Sequence, residues 1–323
     1  LKTGYRDFQV LSPTAPCGSW TALQTLNILE NTNLRSMEHG SVEHLHTFIE
    51  GARHAFADRF RYMGDPDFER VPLKGLLSKA YAKLISEQID MEEAQIEKLS
   101  AEPPWTYFAS KAIHDPWPFD GRSNPAPPAI ESTSNLSDCT THLGAADSNG
   151  NLVSCTQTAV STFGSRVVSP GLGFIWNNGM VWFNAKPGAA NSIAPWKRPL
   201  VNMAPLLVTK EGKSYLSVGS PGGRQVINAN INVTLNVLEF GMGPQESITS
   251  PRVDAAGPQS LVDSRVEAST VTALRNMGHR VEIVDDIEAW YRFARPSAIL
   301  VDNEAGTLRA GTHILQTAEA VGF

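Results

Sequence analysis

Cysteine is scarce in this sequence, and the patterns that would indicate a disulfide framework, a zinc site or a membrane span are missing. The three cysteines, Cys17, Cys139 and Cys155, cannot all pair with one another, and their spacing fits no zinc-binding motif. A fold that does not depend on disulfides is therefore expected. No apolar run approaches the ~20 residues of a membrane-spanning helix, so no span is expected.

An excess of basic residues is also absent. The 323 residues carry a formal net charge of −6, with a sequence pI of about 5.8. Nucleic acid and anionic membranes select basic surfaces, so neither is expected as a main partner. The chain begins at Leu1 with neither an initiator Met nor a signal peptide, which predicts a trimmed or fragmentary sequence. Nothing specifies a compartment or requires a cofactor or a metal.

The first 90 residues of the sequence have a largely helical pattern. A short strand is expected from Tyr5 to Leu11, and apolar stripes at helical spacing predict helices around Leu23 to Leu29 and Val42 to Phe56. A third helix is expected from Leu73 to Gln88. Four histidines cluster here, and a solvated or hydrogen-bonded face is favoured over a metal site because no carboxylates stand at fixed offsets. They are His39, His44, His46 and His54.

The character of the sequence changes from Ala101 to Cys139, where prolines and then a polar run dominate. Such composition cannot sustain a helix or a central strand. Long connections without regular structure are usually functional or mobile. A processing cut is therefore expected in this segment.

The most informative stretch begins directly afterwards, at Thr140. The segments Thr140–Asp147 and Leu152–Thr158 have strand character, and Ser148–Asn151 supplies a turn, so Thr140 is expected at the open end of a hairpin. A threonine there can act as a nucleophile if the chain is cut just before it, because the freed α-amine has a pKa near 7.7–8.0. On local sequence alone, ordinary β-propensity is the favoured explanation.

The remainder alternates strands with glycine-rich turns. Strand-like segments are expected up to Trp176 and again over Tyr215–Val218, before a glycine-rich turn and a helix over Val226–Phe240. Two glycines where a strand meets a helix leave backbone N–H groups aimed outward, which suits either an oxyanion hole or merely a tight turn. A helix over Glu267–Asn276 and short strands near Val281 and Ile299–Val301 complete a mixed set.

Taken in order along the chain, seven short stretches resemble the gamma-glutamyltranspeptidase (gamma-glutamyltransferase) family of N-terminal-nucleophile hydrolases. Their shared order is far more specific than any one of them. They are Gly64–Phe68, Thr140–His142, Thr162–Gly164, Asn177–Met180, Lys186–Gly188, Lys197–Leu200 and Gly219–Gly223.

The resemblance implies an α+β fold, a four-layer αββα sandwich made of two sheets between helices. It also implies self-cleavage between Cys139 and Thr140. Residues 1–139 would then be the C-terminal part of a large subunit ending in a mobile tail, and residues 140–323 the small subunit of a heterodimer. Relative to a family precursor, roughly the first half of the large subunit is missing, including an arginine that holds the glutamyl α-carboxylate.

The resemblance also assigns roles to single residues. Thr140 would be the nucleophile and, through its α-amine, the base. Thr158 would orient the Thr140 hydroxyl, and Gly222 and Gly223 would form the oxyanion hole. Cys139 would be only the departing end of the tail.

The positions that bind the glutamyl group depart from the family pattern. Val160 replaces an asparagine, Gly179 and Trp182 replace a glutamine and an aspartate, and Val201-Asn202 replaces a pair of serines. The expected function is a gamma-glutamyltransferase-like enzyme that passes an acyl-threonine intermediate to water or an amine. The alternatives are an acylase on a non-glutamyl amide, such as a β-lactam side chain, and a truncated relative without catalysis.

Overall fold

The computed structural model describes residues 1–69, 71–95, 138–287, 292–315 and 318–322 as a mixture of helices and sheets. The predicted proline-rich tail, up to residue 137, lies outside these described residues. The α+β class expected from the sequence is confirmed. The element bounds follow in chain order, first the strands and then the helices.

The strands of the described residues are β1 (Lys2–Tyr5), β2 (Phe8–Leu11), β3 (Asp138–Ala146), β4 (Leu152–Ser161), β5 (Leu206–Lys210), β6 (Lys213–Gly219), β7 (Val253–Asp254), β8 (Ser260–Asp263), β9 (Val281–Val284), β10 (Ser297–Asp302) and β11 (Thr307–Thr312). The α-helices are α1 (Ser19–Leu29), α2 (Val42–Tyr62), α3 (Leu73–Leu76), α4 (Lys79–Ser86), α5 (Val226–Leu238), α6 (Pro244–Thr249) and α7 (Ala268–Asn276).

The main sheet has six strands in the order β1-β2-β5-β6-β10-β11, and every neighbouring pair is antiparallel. Side chains alternate across it, as the two-residue period of a strand requires. On β6, Leu216 and Val218 belong to the main hydrophobic core with residues of α1, α2 and α5. The helices therefore cover one face of this sheet.

The opposite face of the main sheet carries the β3–β4 hairpin. The Ser217 hydroxyl of β6 donates to the Val153 carbonyl, and the Ser154 hydroxyl of β4 donates to the Val218 carbonyl, both at 2.9 Å. On the outer side of the hairpin, Leu143 is 60 % exposed. Helices, main sheet and hairpin thus form three layers in the described residues, and a smaller sheet, β7-β8-β9, lies beside α7.

Three local predictions need correction. The single strand over Tyr5–Leu11 is a hairpin, because Arg6 has a φ of 51° and turns the chain between β1 and β2. The single helix over Leu73–Gln88 is two helices, since Ser78 has an extended backbone and its hydroxyl caps α4 by accepting from the Tyr81 N–H. The segment from Thr162 to Trp176 is irregular apart from one isolated bridge.

The four clustered histidines lie on or just before α2, and three of them, His39, His44 and His46, make hydrogen bonds and ring contacts there. His46 bonds the ring of His279 at 2.8 Å and the Asp90 carbonyl at 2.8 Å, while His39 bonds Asn236 at 3.0 Å. Among the described residues, no group of three or more His, Cys, Asp or Glu could hold a metal ion. In the same part of the chain, no helix combines the length and hydropathy needed to cross a bilayer.

Candidate active site

Thr140 is the third residue of β3, so the Cys139–Thr140 peptide bond lies inside a strand. The sequence placed the start of this strand at Thr140, two residues too late. Thr140 is half-buried and faces Thr158 of β4 in register, whereas Cys139 is exposed. Strand pairing therefore holds both sides of the bond in place.

The Thr158 hydroxyl connects the Thr140 hydroxyl to the peptide bond that precedes Thr140. It accepts a hydrogen bond from the Thr140 hydroxyl at 2.9 Å and one from the Val160 N–H at 2.8 Å. It donates to the Cys139 carbonyl oxygen at 3.3 Å. The same oxygen atom thus orients the Thr140 hydroxyl and polarises the carbonyl next to it.

A β-bulge in β4 creates this arrangement. Asp138 pairs with Ser161 and Thr140 pairs with Thr158, so β4 carries one extra residue between these pairs. Val160, in the bulge, has a φ of 76°. This left-handed backbone is rare for a β-branched side chain, and here it directs the Val160 N–H at the Thr158 oxygen.

The two candidate oxyanion glycines lie in the turn between β6 and α5. Gly222 and Gly223 have φ values of 136° and 63°, which favour glycine, and Gly223 opens a short 3-10 turn that leads into α5. A Cβ on Gly222 would lie 2.5 Å from Cα of Ala294. The helix α5 begins here, so its unpaired N–H groups and positive dipole end favour a developing negative charge.

His142 connects the β3–β4 hairpin, which carries Thr140, with the end of β6, which leads to the glycine pair. Its ring packs directly against Gly219 at the end of β6, where it occupies the space that a Cβ would fill. Burial lowers the pKa of His142 to about 4, and Nδ1 bonds the Thr156 hydroxyl at 2.9 Å. Thr140 is two residues before His142, and Gly222 is three residues after Gly219, so this contact brings Thr140 and the glycine pair to one end of the sheet layers.

A turn of 3-10 helix over Gly179–Trp182 lies against the end of β4. Asn178 exchanges hydrogen bonds with Ser161: its Oδ1 accepts from the backbone N–H at 3.1 Å, and its Nδ2 donates to the hydroxyl at 2.9 Å. Gly179 is buried and Trp182 half-buried. Two of the candidate substrate-binding positions are therefore held next to the bulge that contains a third, Val160.

The remaining candidate positions, Val201 and Asn202, lie in a segment fixed from two sides. The buried guanidinium of Arg59 donates to the Val201 carbonyl at 2.8 Å and to Asn202 Oδ1 at 3.1 Å. Asn191 bridges to the previous turn, donating to the Trp182 carbonyl at 2.7 Å and accepting from the Leu200 N–H at 2.9 Å. Polar contacts made by these positions or by their immediate chain neighbours thus connect the five candidate substrate-binding positions.

Comparisons with known proteins show to which family the chain belongs. A sequence model described as gamma-glutamyltranspeptidase matches residues 1–322. The chain belongs to the gamma-glutamyltranspeptidase family. The resemblance predicted from the seven short stretches is therefore confirmed.

Among curated relatives, the glutathione hydrolase proenzyme of Escherichia coli is 36 % identical over 292 residues, which are 86 % of this chain and 46 % of that protein. An acylase proenzyme (ACY 1) of a Pseudomonas species is 33 % identical over 282 residues, 87 % of this chain and 45 % of that protein. The crystal structure of a cephalosporin acylase from Bacillus halodurans has a TM-score of 0.76 at 26 % identity and covers 97 % of this chain and 51 % of that one. The chain spans about half the length of these relatives.

Sequence reasoning missed three residues that organise the site: His142, Asn178 and Asn191. His142 and Asn178 lie inside stretches that carried the resemblance, which is the signal that could have drawn attention to them. Asn191 has no local signal, because its two partners lie nine residues away on either side.

Proposed function

We propose that this chain is the catalytic part of a gamma-glutamyltransferase-like enzyme that cleaves itself between Cys139 and Thr140 and then transfers acyl groups from amides. The observation that carries the proposal is the Thr158 hydroxyl, placed between the Thr140 hydroxyl and the Cys139 carbonyl. Family membership and the named relatives support the same chemistry. The roles of the individual residues rest on the geometry and the family pattern.

In the proposed self-cleavage, Thr140 Oγ1 attacks the carbonyl carbon of Cys139. The hydroxyl proton passes to Thr158, and the Thr158 proton passes to the Cys139 oxygen, so the tetrahedral intermediate carries no net charge. The C–N bond then breaks, and the nitrogen takes up the proton to become the α-amine of Thr140. Water opens the resulting ester, releasing the carboxylate of Cys139.

In turnover, the free α-amine of Thr140 accepts the proton of its own hydroxyl while Oγ1 attacks the acyl carbon of the substrate. The Gly222 and Gly223 N–H groups would stabilise the oxyanion, a contribution of roughly 10²–10³ in rate for one donor. The leaving amine takes a proton from the α-ammonium. Water or a second amine then accepts the acyl group from Thr140.

After the cut, residues 1–139 and 140–323 would form a heterodimer whose two chains share one sheet. Strand β2 of the first piece pairs with β5 of the second over four residues. Arg198 of the second piece forms a fork onto Asp65 of the first, and Lys197 pairs with Glu69 at 2.9 Å. Two described layers of helix and sheet plus the hairpin support the four-layer sandwich, whose outer layer would cover the exposed face of the hairpin.

The acyl pocket would consist of Val160, Gly179, Trp182, Val201 and Asn202. A γ-glutamyl group carries an ammonium and a carboxylate, and a buried charge without a partner costs several kcal/mol. Four of the five side chains here offer apolar surface or none. We therefore favour weak discrimination for the glutamyl head group. An acylase activity on non-glutamyl amides is the second candidate, and acylases are among the similar proteins.

Intact mass and N-terminal sequencing of the full-length protein test self-cleavage. A new N-terminus at Thr140 is expected, Thr140→Ala should remain uncut, and Thr141→Ala, an exposed neighbour on the same strand, should be cut normally. Cleavage of Thr140→Ala at the same bond would refute self-attack. An uncut wild-type protein without amidase activity would favour the truncated, non-catalytic alternative.

A second experiment tests the substrate class. It compares kcat/KM of the processed enzyme for γ-glutamyl-anilide and for glutaryl-anilide, which lacks the α-ammonium. A glutamyl preference below roughly 10²-fold is expected, equivalent to about 2.7 kcal/mol of transition-state binding. A larger preference would show that other residues provide the charge clamp and that the enzyme is an ordinary gamma-glutamyltransferase.

A further inference from the structure

The turn that carries Gly222 and Gly223 is supported from behind by the segment Phe293–Pro296. The Arg295 N–H donates to the Pro221 carbonyl at 3.0 Å. Ala294 is fully buried and lies against Gly222 so closely that a Cβ there would be 2.5 Å from Cα of Ala294. The position of the glycine pair therefore depends on where this segment lies.

A buried ion pair fixes the segment in turn. Arg252 donates through one terminal nitrogen to the Ala294 carbonyl at 2.9 Å and through the other to Asp286 Oδ2 at 2.6 Å. Its guanidinium carbon also lies 5.7 Å from the centre of the Phe293 ring. Arg252 and Asp286 are 1 % and 4 % exposed, so water does not weaken these contacts.

Further groups hold the carboxylate of the pair. His313 Nε2 lies 3.4 Å and Arg265 lies 3.8 Å from the same Oδ2 of Asp286. Burial alone would raise the pKa of Asp286, but its contacts with His313 and Arg252 outweigh burial and hold that pKa at about 2. The backbone N–H of His313 also donates to the Pro296 carbonyl at 3.0 Å and so holds the C-terminal end of the Phe293–Pro296 segment.

We propose that the Arg252–Asp286 pair is a positioning element for the oxyanion turn, acting through the Ala294 carbonyl and the Phe293–Pro296 segment. The inference rests on the proposed function, in which the Gly222 and Gly223 N–H groups stabilise the oxyanion. A guanidinium is suited to this task because its planar fork grips a carbonyl and a carboxylate in one fixed geometry. Arg252 itself does not touch the substrate.

The first variant is Arg252→Met, which keeps the length and apolar bulk of the side chain and removes both hydrogen bonds. Because a shift of about 1 Å at reacting groups can cost roughly 10²-fold in rate, kcat for glutaryl-anilide should fall roughly 10-fold to 100-fold. KM should stay within about 3-fold, as expected when the lost interaction exists only in the transition state. Arg252→Lys, which retains one donor, should recover part of kcat.

The second variant is Ala294→Gly, which leaves no buried charge unpaired and so tests the same support if Arg252→Met does not fold. It removes the methyl group against Gly222 and loosens the segment. The matched control is Glu239→Gln. Glu239 is an equally buried carboxylate that binds Tyr5, Arg6 and Arg35, and it lies at the far end of α5, roughly 20 Å of helix away from the glycine pair.

Two readouts separate positioning from general stability. The first readout compares inhibition by 3-carboxypropylboronic acid with inhibition by glutarate. The boronic acid forms a tetrahedral adduct with Thr140 that places an oxygen where the oxyanion forms. Arg252→Met and Ala294→Gly should weaken the boronate by about 10-fold or more and glutarate by less than about 2-fold, because only the adduct uses the oxyanion donors. Glu239→Gln should weaken neither the boronate nor glutarate.

The other readout is hydrogen exchange of the Arg295 amide, which does not depend on activity. It should be about 10-fold faster in both variants than in the wild type and Glu239→Gln, because local opening sets exchange. Unchanged exchange and an unchanged boronate-to-glutarate ratio in folded variants would overturn the inference and leave the proposed function intact. A wild-type protein that forms no boronate adduct on Thr140 would instead refute the proposed function, and exchange would still decide whether the pair holds the turn.

Discussion

Replacing Val160 with asparagine should stabilise the protein, although the change places a polar residue where an apolar one stands. Val160 has a φ of 76°, and a residue other than glycine in a sparsely populated backbone region costs about 1–3 kcal/mol. Asparagine adopts this region several-fold more readily. The half-buried valine side chain would lose contacts worth about 0.5–1 kcal/mol. The expected net gain is therefore about 1 kcal/mol.

Thermal unfolding of Thr140→Ala protein, which stays uncut in the proposed mechanism, measures this difference without processing as a complication. A gain of about 1 kcal/mol should raise Tm by roughly 2 °C for a chain of this size. The control is Val153→Asn on the same strand, where the backbone is extended. There the substitution should destabilise by about 0.5–1 kcal/mol, because asparagine is a poor strand former.

Opposite signs at Val160 and Val153 are the decisive result. If Val160→Asn lowers Tm as much as Val153→Asn does, the left-handed backbone at Val160 does not destabilise the protein.

In the processed enzyme, the new amide would also face the acyl pocket. The ratio of kcat/KM for γ-glutamyl-anilide to that for glutaryl-anilide should then rise roughly 10-fold, about 1.4 kcal/mol.

Three further results are expected. Thr158→Val should slow self-cleavage roughly 10²-fold, as for the loss of one donor to a developing oxyanion, while Thr158→Ser keeps the hydroxyl and should be cut at close to the normal rate. If denaturing electrophoresis shows that Thr158→Val and Thr158→Ser are cut at equal rates, the proton relay is contradicted. Gly223→Val should lower kcat roughly 10²-fold, whereas Gly241→Val, at a comparable φ of 68° in open space, should cost stability and leave kcat unchanged. Hydrogen bonds from Arg198 lower the pKa of Asp65 to about 2, so the stability from this pair is present above about pH 4 and is lost as the pH falls towards 2. The unfolding free energies of wild type and Asp65→Asn should differ by about 1 kcal/mol at neutral pH, because the Arg198 partner is half-exposed. This difference should shrink between pH 4 and 2, and a constant difference would count against the ion pair.

The parts of the fold that sequence predicted well are those with local signals. The helices α1 and α2 have apolar stripes at helical spacing, and the β3–β4 hairpin has alternating strands around a turn of small polar residues. Strand β5 was missed, although its alternating burial is regular, because Met203 to Leu207 reads as a continuous apolar run without a turn before it. Strand β11 was missed because four of its six residues are exposed, so no buried face shows in the sequence.

The site was predicted only as far as motifs reach. Thr140 and the glycine pair stood out through their position at element ends and through the family resemblance. The bulge could not be predicted, because a valine gives no local signal for a left-handed backbone and the extra residue is defined only by pairing with the other strand. The same holds for the contacts of Asn191 with Trp182 and Leu200, and for the Arg252–Ala294 contact, which joins residues 42 apart in sequence.

The bulge explains how one strand can hold both the bond and the nucleophile that the proposed self-cleavage requires. In a regular antiparallel pair, side chains of successive residues on β4 point to opposite faces, and the N–H groups next to Thr158 bond across the ladder. The extra residue turns the Val160 N–H back onto Thr158 Oγ1, so that this oxygen accepts two hydrogen bonds and has one proton left to donate. In the uncut chain that proton points to the Cys139 carbonyl. In the proposed mechanism, the two acceptor contacts remain once Cys139 leaves, and the same hydroxyl keeps Thr140 oriented for the next acyl group.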